Sequence, residues 1–168
     1  DNAINTCIAC NQACLDHIFA GKLTSCLVNP FACHELQLIQ TPAAQPKNIA
    51  VVGAGPAGMA FAKTAAERGH AVTLFDAQNQ IGGQLNIAKQ IPGKPEFNET
   101  LRYFQHELNK LNVTMQLGQT VQAADLAAFD EIVVATGISP RPPAIPGLEH
   151  PKVLRYLDVL RDKKPVGN

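Results

Sequence analysis

Asn48-Ile49-Ala50-Val51-Val52-Gly53-Ala54-Gly55-Pro56-Ala57-Gly58 decides the fold. Its first five residues are a short apolar run suited to a buried parallel strand, and they lead directly into a G-x-G-x-x-G turn. Helix formers follow from Met59 to Gly69, and Ala71-Val72-Thr73-Leu74-Phe75 is a second apolar strand closed by Asp76. Strand, glycine turn, helix, strand and acid form the opening unit of a dinucleotide-binding α/β fold. Gly53 permits the tight turn, Gly55 lets backbone approach a pyrophosphate, and Gly58 lets the helix lie close on the strand. The helix N-terminus then offers unpaired N–H groups to the phosphates. Asp76 lies eighteen residues beyond Gly58, where a carboxylate accepts the ribose hydroxyls of an adenosine and repels a 2′-phosphate. FAD or NAD is therefore expected there, and NADP is not.

Two later stretches favour FAD. Gln80-Ile81-Gly82-Gly83-Gln84-Leu85 places paired glycines where a second approach of backbone to a dinucleotide needs them, although a plain turn has the same composition. Asp130-Glu131-Ile132-Val133-Val134-Ala135-Thr136-Gly137 reads as a buried strand ending in small residues, at the sheet edge where open α/β folds bind ligands. Between them, Phe97, Leu101, Phe104, Leu108 and Leu111 recur at helical spacing over Glu96 to Leu111. Val113 to Leu117 alternates as a strand, with Gly118 and Thr120-Val121 suggesting a return or hairpin. Ser139 to Gly147 is a proline-rich extended crossing, and a short helix is expected over Val153 to Arg161. Lys94, Arg102, Arg141 and Arg155 read as isolated, solvated charges.

Before this unit stands a different kind of sequence. Cys7, Cys10, Cys14 and Cys26 follow the pattern C-x2-C-x3-C-x11-C, with Cys33 seven residues later. Such crowding is not core packing, and a metal site fits it better than disulfides do. Structural zinc sites usually pair two C-x2-4-C knuckles. Here three thiols come from one short stretch and the fourth from a distance, which suits a [4Fe-4S] cubane better. Zinc remains the alternative. Leu15 to Lys22 reads as a short helix between the third and fourth cysteines. Cys33 reads as a partly buried spare thiol, and His17 and His34 as ordinary loop or helix residues. Gln40 to Gln45 is a linker, dividing a cluster-binding segment, residues 1–40, from the α/β unit, residues 47–168.

Composition bounds the function. Of the 168 residues 46% are hydrophobic and 17% charged, and 14 basic side chains balance 14 acidic ones, which excludes a disordered or nucleic-acid-binding arm. No apolar run approaches the roughly 18 residues of a membrane helix, so a soluble, cytoplasmic protein is expected. The opening Asp1, with no initiator Met, and the closing turn at Pro165 to Asn168 suggest a piece of a longer chain.

A cysteine-rich segment running into a GAGPAG fold resembles the NADPH-dependent 2,4-dienoyl-CoA reductases of the iron-sulfur flavoprotein type. Ile4 to Asp16, with its three cysteines, and Asn86 to Lys94 carry the resemblance most specifically. It implies a partial FAD-binding Rossmann-like domain, a parallel sheet with flanking helices, preceded by the cluster segment. It implies Cys7, Cys10, Cys14 and Cys26 as cluster ligands; Gly53, Gly55, Ala57 and Gly58 at the FAD pyrophosphate; and Asp76 at its ribose. Gly83 and Gln84 would lie near the cofactor, Val121 would meet the adenine through its backbone, and Thr136 and Gly137 would close the site. The family's FMN barrel, its NADPH domain and the site for the 2,4-dienoyl-CoA substrate of fatty-acid β-oxidation would lie outside this stretch, so these residues alone would not reduce a dienoyl-CoA. Trimethylamine and histamine dehydrogenases share the architecture, but their cysteine motif, with two and twelve residues in the second and third gaps, differs from the three and eleven here. A non-catalytic, zinc-stabilised folding unit is the reading of another class.

Overall fold

The computed structural model describes residues 1–167; Asn168, assigned above to the closing turn and to the end of the α/β unit, lies outside the described residues. Its centre is a parallel sheet of four strands: β1 (Asn48–Val52), β2 (Ala71–Asp76), β3 (Thr114–Leu117) and β4 (Glu131–Val134), in the order β3-β2-β1-β4. That is the 3-2-1-4 order of a Rossmann-type half. Alternation in β1 sends Ile49 and Val51 to one face and Ala50 and Val52 to the other.

The first face carries the main core. Helix α2 (Pro56–Glu67) brings Met59, Ala62 and Ala65, and helix α4 (Phe97–Lys110) brings Phe104 and Leu108, onto Ile49, Val51, Val72 and Leu74. Met59, Leu74, Leu108 and Val51 are the largest side chains wholly removed from solvent. Leu108→Ala leaves a cavity that the packed helix cannot collapse, and about 3 kcal/mol of unfolding free energy should be lost, measured by chemical denaturation.

The second face is thinner. Ala50, Phe75 and Leu126 form a small cluster with Val121 and Phe129, and the rings of Phe75 and Phe129 meet edge-on at 5.8 Å. Leu126 comes from a short 3-10 turn, Ala123–Leu126.

Several expectations need correction. The α2 helix begins at Pro56, three residues ahead of Met59, because proline suits the first helical turn. Helix α1 (Leu15–Phe19) and helix α5 (Tyr156–Leu160) are shorter than the stretches proposed for them. No hairpin follows β3. Gly118, at φ +73°, turns the chain so that its N–H donates to Gln78 O, Gln119 N–H donates to Asp76 O, and the chain crosses the end of the sheet. Strand β4 is not buried: Ile132 and Val134 are 47% and 73% exposed. They lie in register with Ala50 and Val52, on the thinly covered face, and β4 is an edge strand. Two short elements went unforeseen, α3 (Leu85–Ala88) and the 3-10 turn.

Residues 1–46 are of another kind. Ala13 is their only buried residue, and none belongs to either apolar cluster. Among the described residues no helix is long and apolar enough to cross a membrane.

Candidate functional site

At the C-terminal end of the sheet the loops after β1, β2 and β4 enclose a cleft of about 780 Å³. Gly53, with φ +111°, makes the turn out of β1, and a Cβ there would lie 2.3 Å from Ala135 O. A Cβ on Gly58 would lie 1.8 Å from Gly53 O. These two glycines are required by the protein's own packing.

Gly55 is different. Its φ is −73°, open to any residue, and a Cβ there would meet nothing within 4 Å. Neither backbone strain nor packing accounts for glycine at this position. Its missing side chain leaves a bare backbone cradle at the start of α2, where N–H groups without intrahelical partners attract phosphate. The cradle fits the pyrophosphate of a dinucleotide.

Asp76 ends β2 at the floor of the cleft. Its Oδ2 accepts from Ala54 N–H at 2.7 Å and its Oδ1 from Gln78 N–H at 2.7 Å, so the carboxylate ties the glycine turn to the β2 loop. Each oxygen retains a lone pair with which to accept a hydroxyl. In Asp76→Asn an NH2 must face one of those two N–H groups. The folded protein should lose about 1 kcal/mol of stability, read by chemical denaturation, because a donor left unpaired at a half-buried site costs about that much.

Gly82 N–H donates to Ala54 O at 2.7 Å, and a Cβ on Gly83 would lie 3.1 Å from Gly55 Cα. The paired glycines therefore first serve to bring a second loop against the glycine turn, rather than only to admit a ligand. Gln84 spans the cleft, its Nε2 donating to Ile138 O at 3.0 Å beyond β4. Ala57, Val121, Thr136 and Gly137 also line the space, whereas Gly58 stands behind the turn and does not. Sequence reasoning missed Gln78, Gln119 and Arg161, which line it too. Arg161 carries the cleft's positive charge and pairs with Asp162 at 2.7 and 3.0 Å. That hydrogen bond holds the Asp162 carboxyl below the ordinary carboxylate range.

A pyridine nucleotide-disulphide oxidoreductase model matches residues 47–166. The chain belongs to the pyridine nucleotide-disulphide oxidoreductase family. Membership implies FAD in such a cleft and makes this a flavin-dependent oxidoreductase domain with a Rossmann-like sheet. The "metal reductase" of Desulforamulus reducens is 41% identical over 98% of this chain. A 2-naphthoyl-CoA reductase, solved with 2-naphthoyl-CoA, superposes with TM-score 0.91 and 36% identity over 99% of this chain. An amine oxidase for 6-hydroxypseudooxynicotine from Pseudomonas geniculata N1 gives 0.83 and 31% over 95%. This family member spans about a quarter of the length of each of the three: 25%, 26% and 26%.

The cysteines precede residues 47–166, which the family model matches, but fall within the stretch aligned with the metal reductase and the 2-naphthoyl-CoA reductase. Left-handed turns at Ala9 and Asn11, φ 52° and 58°, separate Cys7, Cys10 and Cys14. Ser25 N–H donates to Ala13 O at 2.8 Å, tying the stretch around Cys26 to that around Cys14. Cys7 is exposed and accepts from Ala9 N–H at 3.4 Å, while Cys10, Cys14 and Cys26 are half-buried; all are free thiols. Among the described residues no group of three or more His, Cys, Asp or Glu is gathered to hold a metal ion. Cys33 is exposed rather than partly buried, on a left-handed turn at φ 62° whose N–H donates to Glu35 Oε1. His17 Nδ1 and His34 Nδ1 engage Leu23 O and Gln37 Oε1, as ordinary turn residues do.

Proposed function

We propose that the chain is the electron-transfer portion, carrying FAD and a [4Fe-4S] cluster, of an NADPH-dependent 2,4-dienoyl-CoA reductase. The observation that carries this reading is the C-x2-C-x3-C-x11-C segment joined on one chain to a cleft with the bare Gly55 cradle. Similarity to a reductase whose name specifies an acyl-CoA supports the substrate class. When bound, FAD would supply two-electron hydride chemistry with NADPH and a cluster one-electron chemistry, linking this portion to an FMN-bearing barrel elsewhere in the parent protein.

The chain's own residues bind and orient. Gly53, Gly55 and Ala57, at the start of α2, receive the pyrophosphate, with Gly58 holding the helix close behind them. Asp76 takes the ribose, Val121 meets the adenine through its backbone, and Gly83, Gln84, Thr136 and Gly137 enclose the rest. Cys7, Cys10, Cys14 and Cys26 are the thiols that would hold the cluster, four donors spread along a winding loop. Cys26→Ala should therefore lose iron, to about a tenth or less of wild type by elemental analysis, while FAD is retained, because the two sites share no residue.

An amine dehydrogenase is the second reading, favoured by the 31% identity to the amine oxidase. Stopped-flow spectroscopy of the cofactor-loaded parent protein separates the two. Bleaching of the flavin by NADPH, with turnover when 2,4-dienoyl-CoA is added, supports the reductase. Bleaching by an amine and indifference to NADPH would overturn it.

A further inference from the structure

Within the described residues the cysteine-rich segment buries almost nothing against the α/β unit, so its hydrogen bonds are what tie it there. Among the described residues, every hydrogen bond joining residues 1–46 to residues 47–167 is made by one of two arginines. Arg102, on α4, donates from Nη1 to Asn2 O at 2.9 Å and from Nη2 to Ile4 O at 2.9 Å. A longer contact of 3.4 Å joins Nη1 to Asn2 Oδ1. Glu99, one turn earlier, takes Arg102 Nε at 2.7 Å and aims the guanidinium. At the other end of the segment Arg68, the C-cap of α2, donates from Nε to Thr41 O at 3.1 Å, and its carbonyl accepts from Ala43 N–H at 2.8 Å.

All five cysteines lie between these two fixings. The first fixing also reaches into the loop: Asn5, next to Ile4, donates from Nδ2 to Val28 O at 2.6 Å and so closes the stretch containing Cys7 to Cys26 at its base. Arg102, Ile4, Asn5 and Val28 thus form one continuous connection from a core helix to the thiols. A guanidinium suits the task because its planar fork reaches two carbonyls at once, whereas a lysine ammonium is a single point on a flexible stem. An arginine that looked like an isolated surface charge is therefore half-buried and committed to backbone a hundred residues away in sequence.

We infer that Arg102 and Arg68 are the positioning residues that hold the cysteine-rich segment on the flavin-binding unit, Arg102 setting where the first thiols lie. The part of this inference that concerns a cluster rests on the reading under Proposed function.

Arg102→Ala, Arg102→Lys and Arg68→Ala are made in the cofactor-loaded protein, and amide hydrogen exchange is followed together with iron release to a chelator, the EPR signal of the reduced cluster and FAD content. In Arg102→Ala, exchange at residues 3–8 and 26–30 should quicken about tenfold, the order expected for two lost charge-assisted hydrogen bonds at a half-exposed site. Iron should be released faster and the EPR lines should broaden, with FAD content unchanged; Arg102→Lys should recover part of each effect. Arg68→Ala should quicken exchange around residues 40–44. Wild-type exchange in both alanine variants would overturn the inference. Absence of iron from the wild-type protein, with the exchange changes still present in the alanine variants, would overturn the cluster reading and leave the anchoring intact.

Discussion

Gly58→Ala should be among the most damaging single methyl groups that can be added to this chain. The new Cβ would lie 1.8 Å from Gly53 O and 3.0 Å from Gly53 C, both backbone atoms, so no side chain can swing away to make room. Either α2 lifts from β1 or the glycine turn is pushed out of place. Alanine gains about 1 kcal/mol of intrinsic helix propensity over glycine. Overpacking of this kind typically costs 1–3 kcal/mol and here exceeds the ordinary case, so a net loss of about 3 kcal/mol is expected. For a domain of this size that lowers the melting temperature by roughly 10 °C, and the displaced turn should no longer retain flavin. Thermal denaturation followed by circular dichroism checks the first part, and flavin content after gel filtration the second.

Gly55→Ala should do the opposite, removing the ligand and sparing the fold. Apart from its two chain neighbours no protein atom lies within 4 Å of the added methyl, and the backbone is already in a region open to alanine, so the melting temperature should stay within about 2 °C of wild type. The methyl would instead fill the cradle in front of the α2 amides. Flavin affinity should fall at least about a hundredfold, equivalent to roughly 3 kcal/mol. Retained affinity in a folded Gly55→Ala protein would mean that the pyrophosphate sits elsewhere. The pair tests whether two glycines of one motif differ in physical role, Gly58 serving helix packing and Gly55, on the proposed reading, the ligand.

The strand-turn-helix-strand core was legible in the sequence because β1 and β2 combine apolar runs with glycines at the offsets a tight turn demands. Helix α4 was legible because its apolar residues repeat with helical spacing over fourteen residues. Elements of four residues such as α3 and the 3-10 turn contain too little pattern to register. The exposure of Ile132 and Val134 was illegible for another reason: an apolar strand has the same sequence whether or not anything covers its second face. At the site, Asp76 was recognisable as an acid at the right distance from Gly58. Its grip on Ala54 N–H was not, because that bond depends on where two loops meet. Arg102 carries no local signal at all, since its partners are main-chain carbonyls near the start of the chain.

The most direct test is to prepare the protein under strict exclusion of oxygen and to quantify FAD, iron, acid-labile sulfide and zinc together with its visible spectrum. The account predicts a brown-yellow protein with one FAD, and with iron and sulfide in equal amounts of about four per chain. A protein that binds zinc in place of iron, or that carries neither flavin nor sulfide, would contradict it.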